Sequence, residues 1–363
     1  MPVPRSVTLR LNVKTLLVAL VITVTPLVID LFLVLDRSRA GLLGLAGEYF
    51  ESAAQSAGLT VAGFLDAKIV DLKILAADES VQKLHTSIVP KQTLNEAMLL
   101  EVNRDWETPK VAGIVSDLVA NPVSVYLREY LALNTSVQRI MITDARGTVV
   151  AASHKPIKYY YGDQRWWIHA YGDGLGGRIH VADVAWDPVS MTHTVAITVP
   201  CADRHSQAVT ALVTGFVDIS TLAPLVHMVR FGKTGRALLV KADGTTLGAA
   251  DTDLAMTAKA EEMEIVGPLS KDRPLGSTVL ALRGGNRLFV GYSRVPLAER
   301  FPEIDWTILV KQDLREVSDP ISRVNTRALG SGFLAILLIG GLAVYFTTHR
   351  PQTFDPMDKV LKS

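Results

Sequence analysis

Two runs along the chain are apolar almost without interruption, and the stretch between them alternates. Residues 16–35 (LLVALVITVTPLVIDLFLVL) and 328–346 (ALGSGFLAILLIGGLAVYF) each approach the roughly 20 apolar residues that a helix needs to cross a bilayer. The pattern changes at Asp36. Phe50, Ala54, Ala57, Val61, Phe64, Leu65, Ile69, Leu72 and Leu75 recur at spacings of three and four, which predicts an amphipathic helix over residues 36–84. No proline interrupts it, so it can continue directly out of the first apolar run. A second helical stretch is expected over 94–133, after a turn near Pro90. Beyond Asn134 the texture shifts to short β-rich runs punctuated by glycine turns, which predicts strands.

The β-rich region contains a pair of weak internal matches. TDARGTVVAA from Thr143 and VKADGTTLGA from Val240 both read as strand, glycine turn, strand. TGFVDIS from Thr214 and TILVKQD from Thr307 each end a strand and lead into an apolar helical run. The repeat describes two small α/β modules in tandem, with a boundary between His227 and Gly235.

Charge sets the orientation. Arg5, Arg10 and Lys14 precede the first apolar run with no acidic residue among them, so the positive-inside rule puts the N-terminus in the cytoplasm. The run is longer than the ~7–15 residue core of a signal peptide and no clean A-x-A site follows at once, which favours an uncleaved anchor. Residues 36–327 then lie outside and the tail, 347–363, returns inside. Arg350 agrees with this, whereas Arg323 and Arg327 count mildly against it. The formal net charge is +1, which gives a nucleic-acid role no support. Cys201 is the single cysteine. A large external region without a disulfide fits a bacterial periplasm better than a eukaryotic secretory route.

At this level the order of elements resembles the double Cache sensor domains of bacterial receptors. The resemblance runs from Asp36 to about Asn325 and rests on VQRIMITDARGTVVAAS, YYYGDQRWW, VADVAWDP, VAITVPC, VTGFVDIS, RFGKTGRALLVKADGTTL and WTILVKQDLREV, in that order. It implies an α+β fold: a long N-terminal helix supporting two tandem PAS-like α/β modules, flanked by two transmembrane helices. The expected organisation is a cytoplasmic N-terminus (1–15), a first span (16–35), the long helix with a membrane-distal module (36–226), a membrane-proximal module (227–325), a second span (328–346) and a short tail (347–363).

The stretch KYYYGDQRWWIHAYGDG, from Lys158 to Gly174, is the candidate site. Asp163 reads as an N-cap, with helix over 164–171 and a glycine stop. An arginine beside tyrosine hydroxyls suits a carboxylate, because a guanidinium fork can pair both oxygens. In amino-acid-sensing double Cache receptors a tyrosine, an arginine five residues on and a tryptophan two further hold the ligand's carboxylate end, and aspartates further along hold its ammonium. Tyr160, Arg165 and Trp167 are similar to that pattern in spacing, and Asp187 and Asp218 fall where the aspartates are expected. Two positions depart from it: Ala185 stands where a tyrosine is expected, and Ile168 where a second aromatic is common. The paired Trp166–Trp167 equally resembles Cache variants of unassigned ligand. Each residue also has a plainer role open to it. The tryptophans can pack the helix onto the sheet, Asp187 can be a turn residue before Pro188, and Asp218 can cap a helix starting near Ser220.

Other chemistry finds no support. Gly232-Lys-Thr lacks the upstream glycine of a phosphate-binding loop, since His227 stands there. His154, His169, His180, His193 and His205 show no metal-ligand spacing, and no G-x-S-x-G elbow occurs in the external region. The expectation is a non-enzymatic sensor with no catalytic residue, metal or cofactor, anchored in the bacterial inner membrane with its main domain periplasmic. It would bind a small molecule, such as an amino acid or carboxylate, in the distal module. Its partners would be a second copy of itself or a separate signalling protein, because no output module fits in 347–363. The alternatives are a docking protein that uses the Cache fold without a ligand, and a truncated receptor.

Overall fold

A computed structural model describes residues 13–82, 95–203, 206–247 and 259–348 of the chain. The turn expected near Pro90, the charged residues Arg5, Arg10 and Arg350, and His205 lie outside the described residues. The chain divides into two compact units, Met1–Ala46 with Arg315–Ser363, and Gly47–Leu314.

The first unit holds the start of helix α1 (Val13–Ala77) and nearly all of the last helix, α8 (Leu314–Thr348). Large apolar side chains on both are exposed, among them Ile22, Phe32, Phe333 and Leu338. Among the described residues no helix is long and apolar enough to cross a membrane; the runs 16–35 and 328–346 lie within α1 and α8.

In the second unit α1 continues with the expected apolar stripe: Phe50, Ala54, Val61, Leu65, Ile69, Leu72 and Leu75 are all buried. The helical region that follows is broken into pieces: α2 (Glu96–Arg104), a 3₁₀ turn (Pro109–Val111), α3 (Ala112–Ala120) and α4 (Pro122–Leu133). The single helix expected over 94–133 fails because Pro109 and Pro122 each stand at a helical start, where a missing N–H costs nothing. Asn121 caps α4 by accepting a hydrogen bond from the Ser124 amide.

Two antiparallel sheets follow. The first contains β1 (Val137–Asp144), β2 (Val149–Ala152), β3 (His180–Val181), β4 (Ala185–Asp187), β5 (Thr192–Ala202) and β6 (Val209–Asp218), in the order β2-β1-β6-β5-β3 with β4 also on β5. Helix α5 (Arg165–Tyr171) lies between β2 and β3 in sequence. After a 3₁₀ turn (Ile219–Leu222) and α6 (Ala223–His227), the second sheet contains β7 (Arg230–Phe231), β8 (Gly235–Lys241), β9 (Leu275–Ala281), β10 (Arg287–Arg294) and β11 (Trp306–Asp313), in the order β7-β8-β11-β10-β9. Helix α7 (Met263–Asp272) covers it. The matched turns sit at Gly147 and Gly244, both at positive φ (+90° and +86°), where only glycine is unstrained.

Alternation assigns one face of each sheet to α1. On β6, Gly215 meets Leu72 so closely that an added Cβ would lie 2.8 Å from its methyls, and on β10 the same construction at Gly291 meets Phe50 Cβ at 2.6 Å. Cys201 points the same way, its Sγ donating to the Ala76 carbonyl at 3.2 Å. The opposite face of the first sheet, on Arg139, Met141, Thr143, Thr214 and Phe216, is where α5 packs.

Candidate functional site

Strand register alone brings the two predicted aspartates together. Asp187 pairs with Thr192, and Asp218 with Thr194. Thr192 and Thr194 share a face of β5, because side chains of a strand repeat every second residue. Asp218 sits at the end of β6, where its carboxylate accepts from the Ser220 amide at 2.8 Å, Gln138 Nε2 at 3.2 Å and Thr192 Oγ1 at 3.3 Å. It thereby caps the following 3₁₀ turn.

Asp187 has a different neighbour, one that sequence reasoning did not single out. Arg139 of β1 donates to it in a two-pronged pair, Nε to Oδ2 at 2.7 Å and Nη2 to Oδ1 at 3.0 Å. Both side chains are buried, at 4% and 3% exposure. Ser190 Oγ adds a hydrogen bond at 2.8 Å, and the guanidinium lies 3.3 Å from the centre of the Phe216 ring. Burial pushes the Asp187 carboxyl up, but the hydrogen bonds from Arg139 and Ser190 outweigh it and hold the group below the usual carboxylate value. The signal was present in VQRIMIT: an arginine inside an otherwise apolar strand is a buried charge that must find a partner.

The aromatic stretch divides between the sheet and the surface. Trp167 is buried against the sheet, donates through Nε1 to Thr143 Oγ1 at 2.9 Å and stacks on Tyr171 with ring centres 4.8 Å apart. Tyr161 is buried in the same cluster. Tyr160 is also buried, with its main chain clamped by the Asn103 side chain and its ring against Gly162. Burial raises the phenol pKa of Tyr159, Tyr160 and Tyr161. Arg165 is exposed at the first position of α5 and lines a different cavity, shared with Arg300 and Glu303. The helix begins one residue later than expected. Gln164 is its N-cap without a side-chain cap bond, and Asp163 instead accepts from Gln164 Nε2. Thus Asp187, Asp218 and Trp167 share one face of the first sheet, and Arg165 lies apart from them.

The same face is polar for a domain interior. Thr143, Thr194, Thr198 and Thr214 are buried along it, with Thr198 and Thr214 hydrogen-bonded at 3.0 Å. His154, beside Ser153, has its pKa lowered by burial and by the nearby Arg139 and Arg128 charges, with Asp187 opposing. Among the described residues no group of three or more His, Cys, Asp or Glu is arranged to hold a metal. A polar inner face of this kind can orient a small polar ligand by hydrogen bonds, provided its buried charges stay paired.

No protein-family profile matches the chain, and no curated protein sequence matches it. Solved structures do. The ligand-binding domain of the chemoreceptor Tlp3 of Campylobacter jejuni, in complex with L-norvaline, matches with a TM-score of 0.51 at 11% identity, over 77% of this chain and 96% of that one. The same domain with 4-methylisoleucine matches at 0.50 and 12% identity, over 78% and 95%. The ligand-binding domain of the Pseudomonas aeruginosa amino-acid chemoreceptor PctB with L-Arg is also similar, at 0.43 and 18% identity, over 74% and 94%. The chain has the fold of the ligand-binding sensory domains of bacterial receptors, in line with the double Cache resemblance of its sequence.

Proposed function

We propose that this protein is a membrane-anchored extracytoplasmic sensor that binds a small molecule on the polar inner face of the first sheet and passes its occupancy to a signalling partner. The observation that carries the reading is the buried Arg139–Asp187 pair among four buried threonines, on a fold shared with domains solved in complex with amino acids. Anchoring is supported by the apolar runs 16–35 and 328–346 and by the exposed apolar side chains of the first unit. The partner would be a second copy of the chain or a separate signalling protein, reached through α8, which follows β11 without a break.

The ligand class follows from Arg139. An ammonium group can use Asp187 only by displacing a guanidinium already in two-pronged register, whereas a carboxylate needs no such exchange. The ligand is therefore a carboxylate, or an amino acid whose binding swings Arg139 away. A thermal-shift screen of amino acids, amines and carboxylates on the full chain tests this, with Arg139→Met and Asp218→Ala alongside. An amino-acid shift that Asp218→Ala weakens, or a plain-carboxylate shift that it does not, is expected, together with an Arg139→Met variant that gains amine binding. A second reading, a docking domain without a ligand, is favoured by the same pair, since Arg139 already satisfies Asp187. It stands if neither wild type nor Arg139→Met responds to any compound.

A further inference from the structure

A cleft of about 300 Å³ opens where the two sheets' modules meet, between α5 with β3 on one side and the loop before β11 on the other. That volume is at the lower end of the range typical of small-molecule sites. Its walls are bound together beside it: Asp183 accepts from Trp306 Nε1 at 2.9 Å and pairs with Lys241 Nζ at 2.6 Å.

Three features of the cleft remain unsatisfied or open. The His180 side chain is only 8% exposed, and its Nε2 has no hydrogen-bond partner. Glu303 comes within 3.8 Å of that nitrogen, too far for a hydrogen bond, and is itself 57% exposed. Arg165 lines the cleft with no ion pair or hydrogen bond from its guanidinium among the described residues, unlike Arg300, which is committed to Asp66 at 2.5 Å. The flat faces in the lining are Trp166 and Phe301. A buried ring nitrogen left unpaired is unfavourable, and a ligand atom that pairs it removes that cost.

We propose that this junction cleft is a separate binding site for a small carboxylate with a planar apolar body, held by the Arg165 guanidinium with its ring between Trp166 and Phe301, and reaching the enclosed His180 Nε2–H once the exposed Glu303 side chain turns aside. Arg300 is neutralised by Asp66, so among the described residues Arg165 is the lining cation left to meet an anion. His180 suits the donor role as a neutral imidazole: burial lowers its pKa, with Glu303 opposing and His169 reinforcing. An occupant touches α5 of the first module and the loop of the second, so binding ties the modules together. The site is independent of the inner face of the first sheet and does not rest on a ligand being bound there.

The probe is benzoate, titrated into the full chain in detergent by calorimetry, with benzamide and acetate as the uncharged and ringless comparisons. Saturable benzoate binding is expected, with both comparisons weaker by about tenfold or more. Arg165→Ala should weaken benzoate about tenfold without lowering the melting temperature, since Arg165 is exposed. His180→Phe, which keeps a ring and removes the nitrogens, should weaken it several-fold. Arg283→Ala, a change at an exposed pair with Glu264, should leave it unaltered. Absence of saturable benzoate binding, benzamide binding as well as benzoate, or benzoate affinity unchanged in folded Arg165→Ala would each overturn the proposal.

Discussion

On the first sheet, the face turned from α1 buries Arg139, Asp187, Thr143, Thr198 and Thr214; on the second, the face under α7 buries Leu238, Val240, Leu280, Val290, Tyr292 and Leu309 with Met263 and Val266. Their central strands pair in the same way, β5-β6-β1 against β10-β11-β8, and both sheets rest on α1 through a glycine. The second face does carry a charged pair, Lys311 with Glu262, but it lies where α7 begins and Lys311 keeps some exposure. The first face is mixed, since Met141 and Leu212 pack in an apolar cluster with Trp167 and Ala170 of α5 beside the polar groups, so this backbone plan tolerates a mainly apolar or a partly polar filling. An apolar filling stabilises through area removed from water. A polar one is stable only while every buried group is paired, which leaves it responsive to whatever competes for those pairs.

The sharpest test of that contrast breaks the buried pair. Asp187→Ala strands the Arg139 charge in the interior and should cost about 3–5 kcal/mol, read as a fall in the midpoint of denaturant unfolding. The double change Arg139→Met with Asp187→Leu should recover most of that loss, because it makes the first face resemble the second. A double variant as unstable as the single one would break the comparison.

The glycine contacts come next. Gly291→Ala drives a methyl into the main chain of Phe50, whereas Gly215→Ala meets only the end of the Leu72 side chain. The first should destabilise by about 1–3 kcal/mol and the second by clearly less, since a leucine can turn aside and a helix backbone cannot. Equal losses in thermal unfolding would mean that the two modules sit on α1 equally tightly.

Acid sensitivity should also separate the modules. The Asp187 pKa is lowered in the folded state, so its stabilisation is present above the unfolded value of about 3.9 and lost as pH falls through the folded one. His154 and His180 are lowered as well, chiefly by burial. The unfolded chain therefore takes up protons first as pH falls through about 6.5, and stability declines from there. Melting temperatures at mildly acidic and neutral pH should converge in the His154→Gln and His180→Gln variants. A wild type whose stability is flat across that window would contradict the assignment. The smallest effect is expected at the surface of the second module. Arg283→Ala opens an exposed pair with Glu264 and should change stability by less than about 0.5 kcal/mol.

Much of the architecture was legible in local pattern. The apolar stripe of α1 follows from a 3.6-residue period, and the hairpins at Gly147 and Gly244 follow from turn chemistry. The strand-to-helix passages at Asp218 and Asp313 were readable for the same reason. The helices after α1 read as one in the sequence, because a periodic run hides the two prolines that start new helices within it. Of the candidate site, Trp167, Asp187 and Asp218 do come to one face, while Arg165 faces the junction with Arg300 and Glu303.

Periodicity and turn chemistry by themselves determined the apolar stripe of α1, the β-rich texture beyond Asn134 and the turns at Gly147 and Gly244, because each depends on residues a few places apart; the α+β class came from the resemblance. Tertiary structure alone decided that Asp187 belongs to Arg139 and that His180 lies buried beside Glu303 without a hydrogen bond. Those groups are far apart in sequence, and which of them meet depends on strand register and on how the two modules are joined. Those surroundings set how each group can react, since a carboxylate or an imidazole acts according to the partner it already has.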